Sequence, residues 1–115
     1  MKEITIWHNP RCSKSRQTLE LLRNQGHEPT IVEYLKTPPS KIEILNTLVK
    51  LQISAHDLIR TGEEEYKSLG LSEQSDDKTL VQAMETNPKL IERPVVFAND
   101  KAAIGRPPEA VLKIL

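Results

Sequence analysis

Ile4-Thr5-Ile6-Trp7-His8-Asn9-Pro10-Arg11-Cys12-Ser13-Lys14-Ser15-Arg16 passes from a β-type segment into a helical one, and Cys12, the only cysteine, stands at the change. Ile4 to Trp7 is β-branched and aromatic, and the turn-forming Asn9-Pro10 stops it. From Ser13 the period changes: Leu19, Leu21 and Leu22 gather on one helical face, and Asn24-Gln25-Gly26 supplies a C-terminal stop. A thiol at that junction meets the unpaired N–H groups and partial positive charge of a helix N-terminus, to which Arg11, Lys14 and Arg16 add cationic character. Such a setting favours the thiolate, so Cys12 is the candidate nucleophile, and His8 assists if its imidazole faces the sulfur. The competing reading is that Cys12 is a small buried hydrophobe, the ordinary state of a free cysteine.

Working outward, Thr30-Ile31-Val32-Glu33-Tyr34-Leu35 reads as a second strand ended by Thr37-Pro38-Pro39. The intervening helix makes it parallel to the first in a right-handed βαβ unit. The middle of the chain is helical. Ser40 and Glu43 have capping-box spacing ahead of Ile42, Leu45, Leu48 and Val49, and Ser54 and Asp57 repeat that spacing before Leu58-Ile59-Arg60. Further helices are expected from Glu64 to Leu69, stopped by Gly70, and from Asp77 to Thr86, stopped by Asn87-Pro88. Val95-Val96-Phe97 and Ala102-Ala103-Ile104 then flank Ala98-Asn99-Asp100-Lys101 as an antiparallel hairpin. Pro107 and Pro108 suit the first turn of a closing helix with Val111, Leu112 and Leu115 on its apolar face. The order predicts an α/β protein of thioredoxin-like layout: a mixed four-stranded sheet flanked by helices, with a helical insertion after the second strand. One domain over 1–115 is expected, with its core in 1–39 and 90–115 and the insertion in 40–89.

The formal net charge is zero, with charged residues at 28% of the chain, so no overall field draws it to nucleic acid or to an anionic membrane. No apolar run approaches the roughly 18 residues of a membrane-spanning helix, and Met1-Lys2-Glu3-Ile4-Thr5-Ile6-Trp7 reads as a strand rather than a signal peptide. A lone cysteine agrees with a reducing compartment, so a cytoplasmic location is expected. His8, His27 and His56 lie too far apart for a zinc-binding pair, so no metal is expected. Size and balanced charge make a monomer the default.

The residues after Cys12 narrow the reaction. A cysteine phosphatase carries arginine where this chain has Thr18, and a dithiol oxidoreductase carries a second cysteine where it has Ser15. The centre is monothiol, so a thiol that has given up electrons must be regenerated by a partner such as glutathione or a small dithiol protein. Arg93 and Arg106 fall at sheet ends, where α/β proteins bind ligands, and Arg60 ends an apolar helix. The planar fork of arginine matches a tetrahedral oxyanion, although any single arginine is ordinarily a solvated surface residue. Pro94 opens a strand, a place where this fold commonly carries a cis proline facing the reactive cysteine.

Taken together, the loop from Ile6 to Arg16, Glu33-Tyr34-Leu35, Asn87-Pro88, Arg93-Pro94-Val95-Val96 and Gly105-Arg106-Pro107-Pro108-Glu109 resemble the glutaredoxin-coupled arsenate reductases over nearly the whole chain. The similarity is greatest to a chromosomal bacterial subgroup sharing the Arg-Cys-Ser-Lys-Ser-Arg loop. It implies that Cys12 attacks arsenate to form a thiol-arsenate adduct, that His8 favours the thiolate, and that Arg60, Arg93 and Arg106 hold the oxyanion. Asn9, Ser15, Arg16 and Pro94 would support the loop. Glutathione would act as co-substrate through a mixed disulfide, glutaredoxin would resolve it, and no cofactor would be bound. Established members carry Cys-Gly-Thr-Ser-Arg where this chain has Cys12-Ser13-Lys14-Ser15-Arg16, and they continue with a C-terminal tail beyond the position of Leu115. The same fold also serves as a redox-regulatory module that binds RNA polymerase and as a monothiol glutaredoxin-like disulfide exchanger. Ser15 weighs against the first, whose members typically carry Cys-x-x-Cys.

Overall fold

The computed structural model describes residues 3–115. Met1 and Lys2, the start of the expected first strand, lie outside the described residues. The chain forms two compact units, one from the segment up to Thr37 together with Arg93–Leu115, the other Pro38–Glu92.

The first unit holds β1 (Thr5–Trp7), α1 (Ser13–Asn24), β2 (Thr30–Val32), β3 (Val95–Ala98), β4 (Lys101–Ile104) and a closing 3₁₀ helix (Pro108–Ile114). Its mixed sheet has the order β2-β1-β3-β4, with β2 parallel to β1 and both other pairings antiparallel. Helix α1 buries Leu19 and Leu22, which join Ile4, Ile6, Val96, Ala98, Val111 and Ile114 in one core. The opposite face of the sheet carries Trp7, Val95 and Phe97. The Trp7 and Phe97 rings meet edge to face with centroids 5.0 Å apart, a contact worth about 0.5–1.5 kcal/mol beyond burial. Helix α1 ends where the sequence stops it: Gly26, at φ +85°, sends its N–H to Arg23, and His27 sends its own to Leu22, the paired bonds of a Schellman motif. In the hairpin, Asn99 and Asp100 take φ of 54° and 61°, the left-handed pair of a type I′ turn.

Two expectations in this unit are corrected. Glu33-Tyr34-Leu35 is a turn rather than strand, with Lys36 and Thr37 both donating to the Glu33 carbonyl at 2.9 Å. The ladder ends because its partner does: β1 stops at Trp7, and the bond from His8 N–H to the Val32 carbonyl is the last rung. The closing helix is 3₁₀, whose three-residue period puts Pro108, Val111 and Ile114 on one side, and these are the residues buried. Leu112, which an α-helical period places inward, is exposed.

The second unit contains α2 (Lys41–Leu51), α3 (Ala55–Leu58), α4 (Glu64–Ser68), α5 (Asp77–Thr86) and a 3₁₀ turn (Pro88–Leu90). Ser40 and Glu43 form the expected capping box in full. Ser54 does not cap α3; its hydroxyl instead meets the Asp57 carboxylate at 3.4 Å. Helix α2 buries Leu48 as expected, but the rest of its inward face differs from the one expected. Ile44, Thr47 and Leu48 turn inward, whereas Ile42, Leu45 and Val49 are exposed. A stripe of apolar residues at helical spacing marks a face without saying whether that face is the packed one.

Candidate active site

The sheet register assembles the site. Trp7 pairs with Val95 and Val95 with Ile104, so the end of β1, the start of β3 and the end of β4 lie side by side at one end of the sheet. The chain leaving β1 carries Cys12, the residue pair entering β3 is Arg93-Pro94, and the chain leaving β4 carries Arg106. Antiparallel pairing thus brings together residues 94 apart in sequence: Arg106 Nη2 lies 3.8 Å from Cys12 Sγ. The Arg93-Pro94 and Arg106-Pro107 bonds are both cis. Arg106 is fastened by its own Nε, which donates to the Arg93 carbonyl at 2.9 Å.

The loop before α1 is held at every step. Asn9 accepts the Cys12 N–H on its carbonyl and the Arg11 N–H on Oδ1, both at 3.0 Å, and donates its own N–H to Ser15 Oγ at 3.0 Å. Arg16 Nη1 donates to the Pro10 carbonyl at 2.9 Å, closing the loop from the other side. Cys12 is the N-cap residue of α1, and its carbonyl receives the Arg16 N–H. Its buried sulfur lies where the N–H groups of Lys14 and Ser15 act on it, although neither closes into a full capping hydrogen bond.

Burial pushes the Cys12 thiol up, but the Ser15 N–H, the Arg93 charge, the Lys14 N–H and the Arg106 charge, in that order, outweigh it. The thiol therefore ionises below its ordinary value. The cations responsible differ from those expected. Arg93 and Arg106 come from the far end of the chain, whereas Lys14 contributes through its backbone and Arg16 is engaged in holding the loop. Thiolate absorbance and the rate of Cys12 alkylation should both rise through an inflection below the ordinary thiol range. Arg106→Ala should move that inflection upward, and an unchanged inflection would remove Arg106 from the account.

His8 is buried, and its Nδ1 lies 2.6 Å from Ser15 Oγ rather than being spent on the sulfur. Its burial, chiefly, holds the imidazole below its usual pKa; Arg23 and Arg16 act in the same direction and Glu33 against them. Arg60 belongs to the helical unit, where Glu63 and Glu92 pair with its guanidinium. The structure thus gathers Cys12, His8, Asn9, Ser15, Arg16, Arg93, Pro94 and Arg106 within one unit, and Arg60 in the other.

Sequence reasoning used Thr18 only to exclude a phosphatase and missed its structural part. Thr18 is fully buried and donates to the Lys14 carbonyl at 2.8 Å, and a methyl group added at Gly105 would lie only 2.5 Å from its Oγ1. The signal available was Gly105 itself, directly before Arg106-Pro107. Among the described residues, no group of three or more His, Cys, Asp or Glu is placed to hold a metal ion, and no helix is long and apolar enough to cross a membrane.

Comparison with known proteins gives the family and the fold. The ArsC family model matches residues 7–114. The uncharacterized protein YfgD of Escherichia coli K12 is 52% identical over 116 residues, spanning 99% of this chain and 98% of its own length. The arsenate reductase of the same strain is 45% identical over 116 residues, spanning 100% of this chain and 82% of its own. Among solved structures, an arsenate reductase from Vibrio cholerae superposes with a TM-score of 0.95 at 48% identity, covering 98% of each chain.

Proposed function

This chain belongs to the ArsC family, and on that premise we propose that it reduces arsenate to arsenite with Cys12 as the nucleophile. The observation that carries the reading is the position of the Arg106 guanidinium, 3.8 Å from the Cys12 sulfur, with the Arg93 charge acting on the same atom. A thiolate flanked by two guanidiniums suits a tetrahedral oxyanion: the cations stabilise the thiolate and then share their donors with the incoming anion. Arg93 and Arg106 share a unit with Cys12, whereas Arg60 pairs with Glu63 and Glu92 in the other.

In the proposed cycle, the Cys12 thiolate displaces an oxygen of arsenate, which leaves as water, and an S–As(V) bond forms. A glutathione thiolate then attacks the Cys12 sulfur; the S–As bond breaks with its electron pair remaining on arsenic, now As(III). Each thiol has supplied one electron, and the product is a Cys12–glutathione mixed disulfide. A second thiol, from glutaredoxin, takes the glutathionyl group and restores Cys12. The need for an external thiol follows from the chain having no second cysteine.

The test is NADPH oxidation coupled through glutathione reductase, with glutathione and glutaredoxin present. Oxidation that requires arsenate and yields arsenite supports the reading. A chain that turns over a glutathionylated substrate and never arsenate would instead be a disulfide exchanger.

A further inference from the structure

Ser15 is fully buried, and among the described residues its hydroxyl oxygen has two hydrogen-bond partners: the Asn9 N–H at 3.0 Å and His8 Nδ1 at 2.6 Å. A backbone N–H can only donate, so the hydroxyl hydrogen has one acceptor available, Nδ1. Were Nδ1 protonated, Oγ would receive two donors and its own hydrogen would be buried without an acceptor, a costly state for a polar group away from water. Nδ1 is therefore the acceptor, and the ring hydrogen of the neutral imidazole sits on Nε2.

We propose that Ser15 is a positioning residue that holds His8 as its neutral Nε2–H tautomer, so that the Cys12 thiolate forms beside a neutral histidine and not as a thiolate–imidazolium pair. The charged groups around the ring fit this arrangement. The charges of Arg16 and Arg23, both on α1, disfavour the imidazolium, and Arg11 and Lys36 share with the ring the rim of a depression of about 210 Å³. Among the described residues, Glu33, from the turn after β2, is the carboxylate acting on the ring, and it also pairs with Lys36 at 3.5 Å. The Ser15–His8 bond ties the end of β1 to the first turn of α1, and that turn carries the Lys14 and Ser15 N–H groups that act on the sulfur. His8 thus acts on Cys12 through the aim of the helix terminus.

This inference rests on the reading of Cys12 as the nucleophile, but its test does not use arsenate. In protein labelled with ¹⁵N in the imidazole rings, long-range ¹H–¹⁵N correlation should show His8 with bare Nδ1 and protonated Nε2 on both sides of the Cys12 ionisation, followed by thiolate absorbance. Ser15→Ala should lose the single tautomer and slow Cys12 alkylation near neutral pH by roughly two- to tenfold, the scale of one hydrogen bond. His8→Asn, whose side chain offers a neutral acceptor and no titratable charge, should slow it less than Ser15→Ala does. An imidazolium coexisting with the thiolate, or a protonated Nδ1, overturns the proposal, and the native protein decides this even if a variant fails to fold. A chain inert in the arsenate assay that still shows the Nε2–H tautomer overturns only the proposed function.

Discussion

Cys12→Ser is expected to reduce arsenate-dependent oxidation by at least roughly a thousandfold, about 4 kcal/mol of barrier. The chain has one cysteine, so no neighbouring thiol can substitute. A serine hydroxyl in the same place has nothing comparable to a thiolate population near neutral pH, because the N–H groups and arginines that lower the thiol act on a group whose starting pKa is far higher. The substitution should leave the fold intact. Cys12 occupies the N-cap of α1, a position where serine is among the preferred residues, so thermal stability should hold or rise slightly. Activity lost at unchanged melting temperature assigns the chemistry to the sulfur. Activity retained in Cys12→Ser would refute the nucleophile assignment outright.

The second large effect is expected at a residue with no functional group. Gly105→Ala would place a methyl carbon 2.5 Å from Thr18 Oγ1, 2.8 Å from Pro94 Cγ and 3.1 Å from Thr18 Cγ2. None of these atoms can move cheaply. Thr18 is fully buried with its hydroxyl bound to the Lys14 carbonyl, and Pro94 is a ring whose carbonyl receives the Gly105 N–H at 2.9 Å. Overpacking of this kind costs about 1–3 kcal/mol, which for a chain of this size lowers the melting temperature by roughly 5 °C or more. The displaced backbone also carries Arg106, so Cys12 ionisation should move up together with the loss of stability. Adding Thr18→Ala removes two of the three contacts and should recover part of the loss, a coupling that a double-mutant cycle reads directly. Gly105→Ala with parental stability would show that the close approach is not a constraint.

These two positions differ in how legible they were. Cys12 could be read because its evidence is local: a β-type run, a turn and a change of period within a dozen residues place the thiol at a helix start. The Ser40–Glu43 capping box, the Asn99-Asp100 turn and the Gly26 stop were legible for the same reason, since each is made by residues within a few positions of one another. Gly105 was only part of a motif. Its reason lies in Thr18 and Pro94, which no spacing connects to it. Helix faces were partly hidden too. The exposure of Ile42, Leu45 and Val49, and the three-residue period that buries Val111 and Ile114, depend on what packs against the helix.

The sequence by itself therefore determined the order of elements, the thiol at the N-terminus of the first helix and the absence of a second thiol to close an internal cycle. The tertiary structure decided which cations reach that thiol and what state His8 holds. Arg11, Lys14 and Arg16 are neighbours in sequence, yet Arg93 and Arg106 are the side-chain charges that lower Cys12, because antiparallel pairing of Trp7 with Val95 and of Val95 with Ile104 returns the chain to the same end of the sheet. His8 follows the same logic: burial and the Ser15 hydroxyl set its protonation, and both exist only once β1 and α1 have packed. Local order is written in neighbouring residues, whereas electrostatic effect falls off with distance through space, which the fold alone establishes.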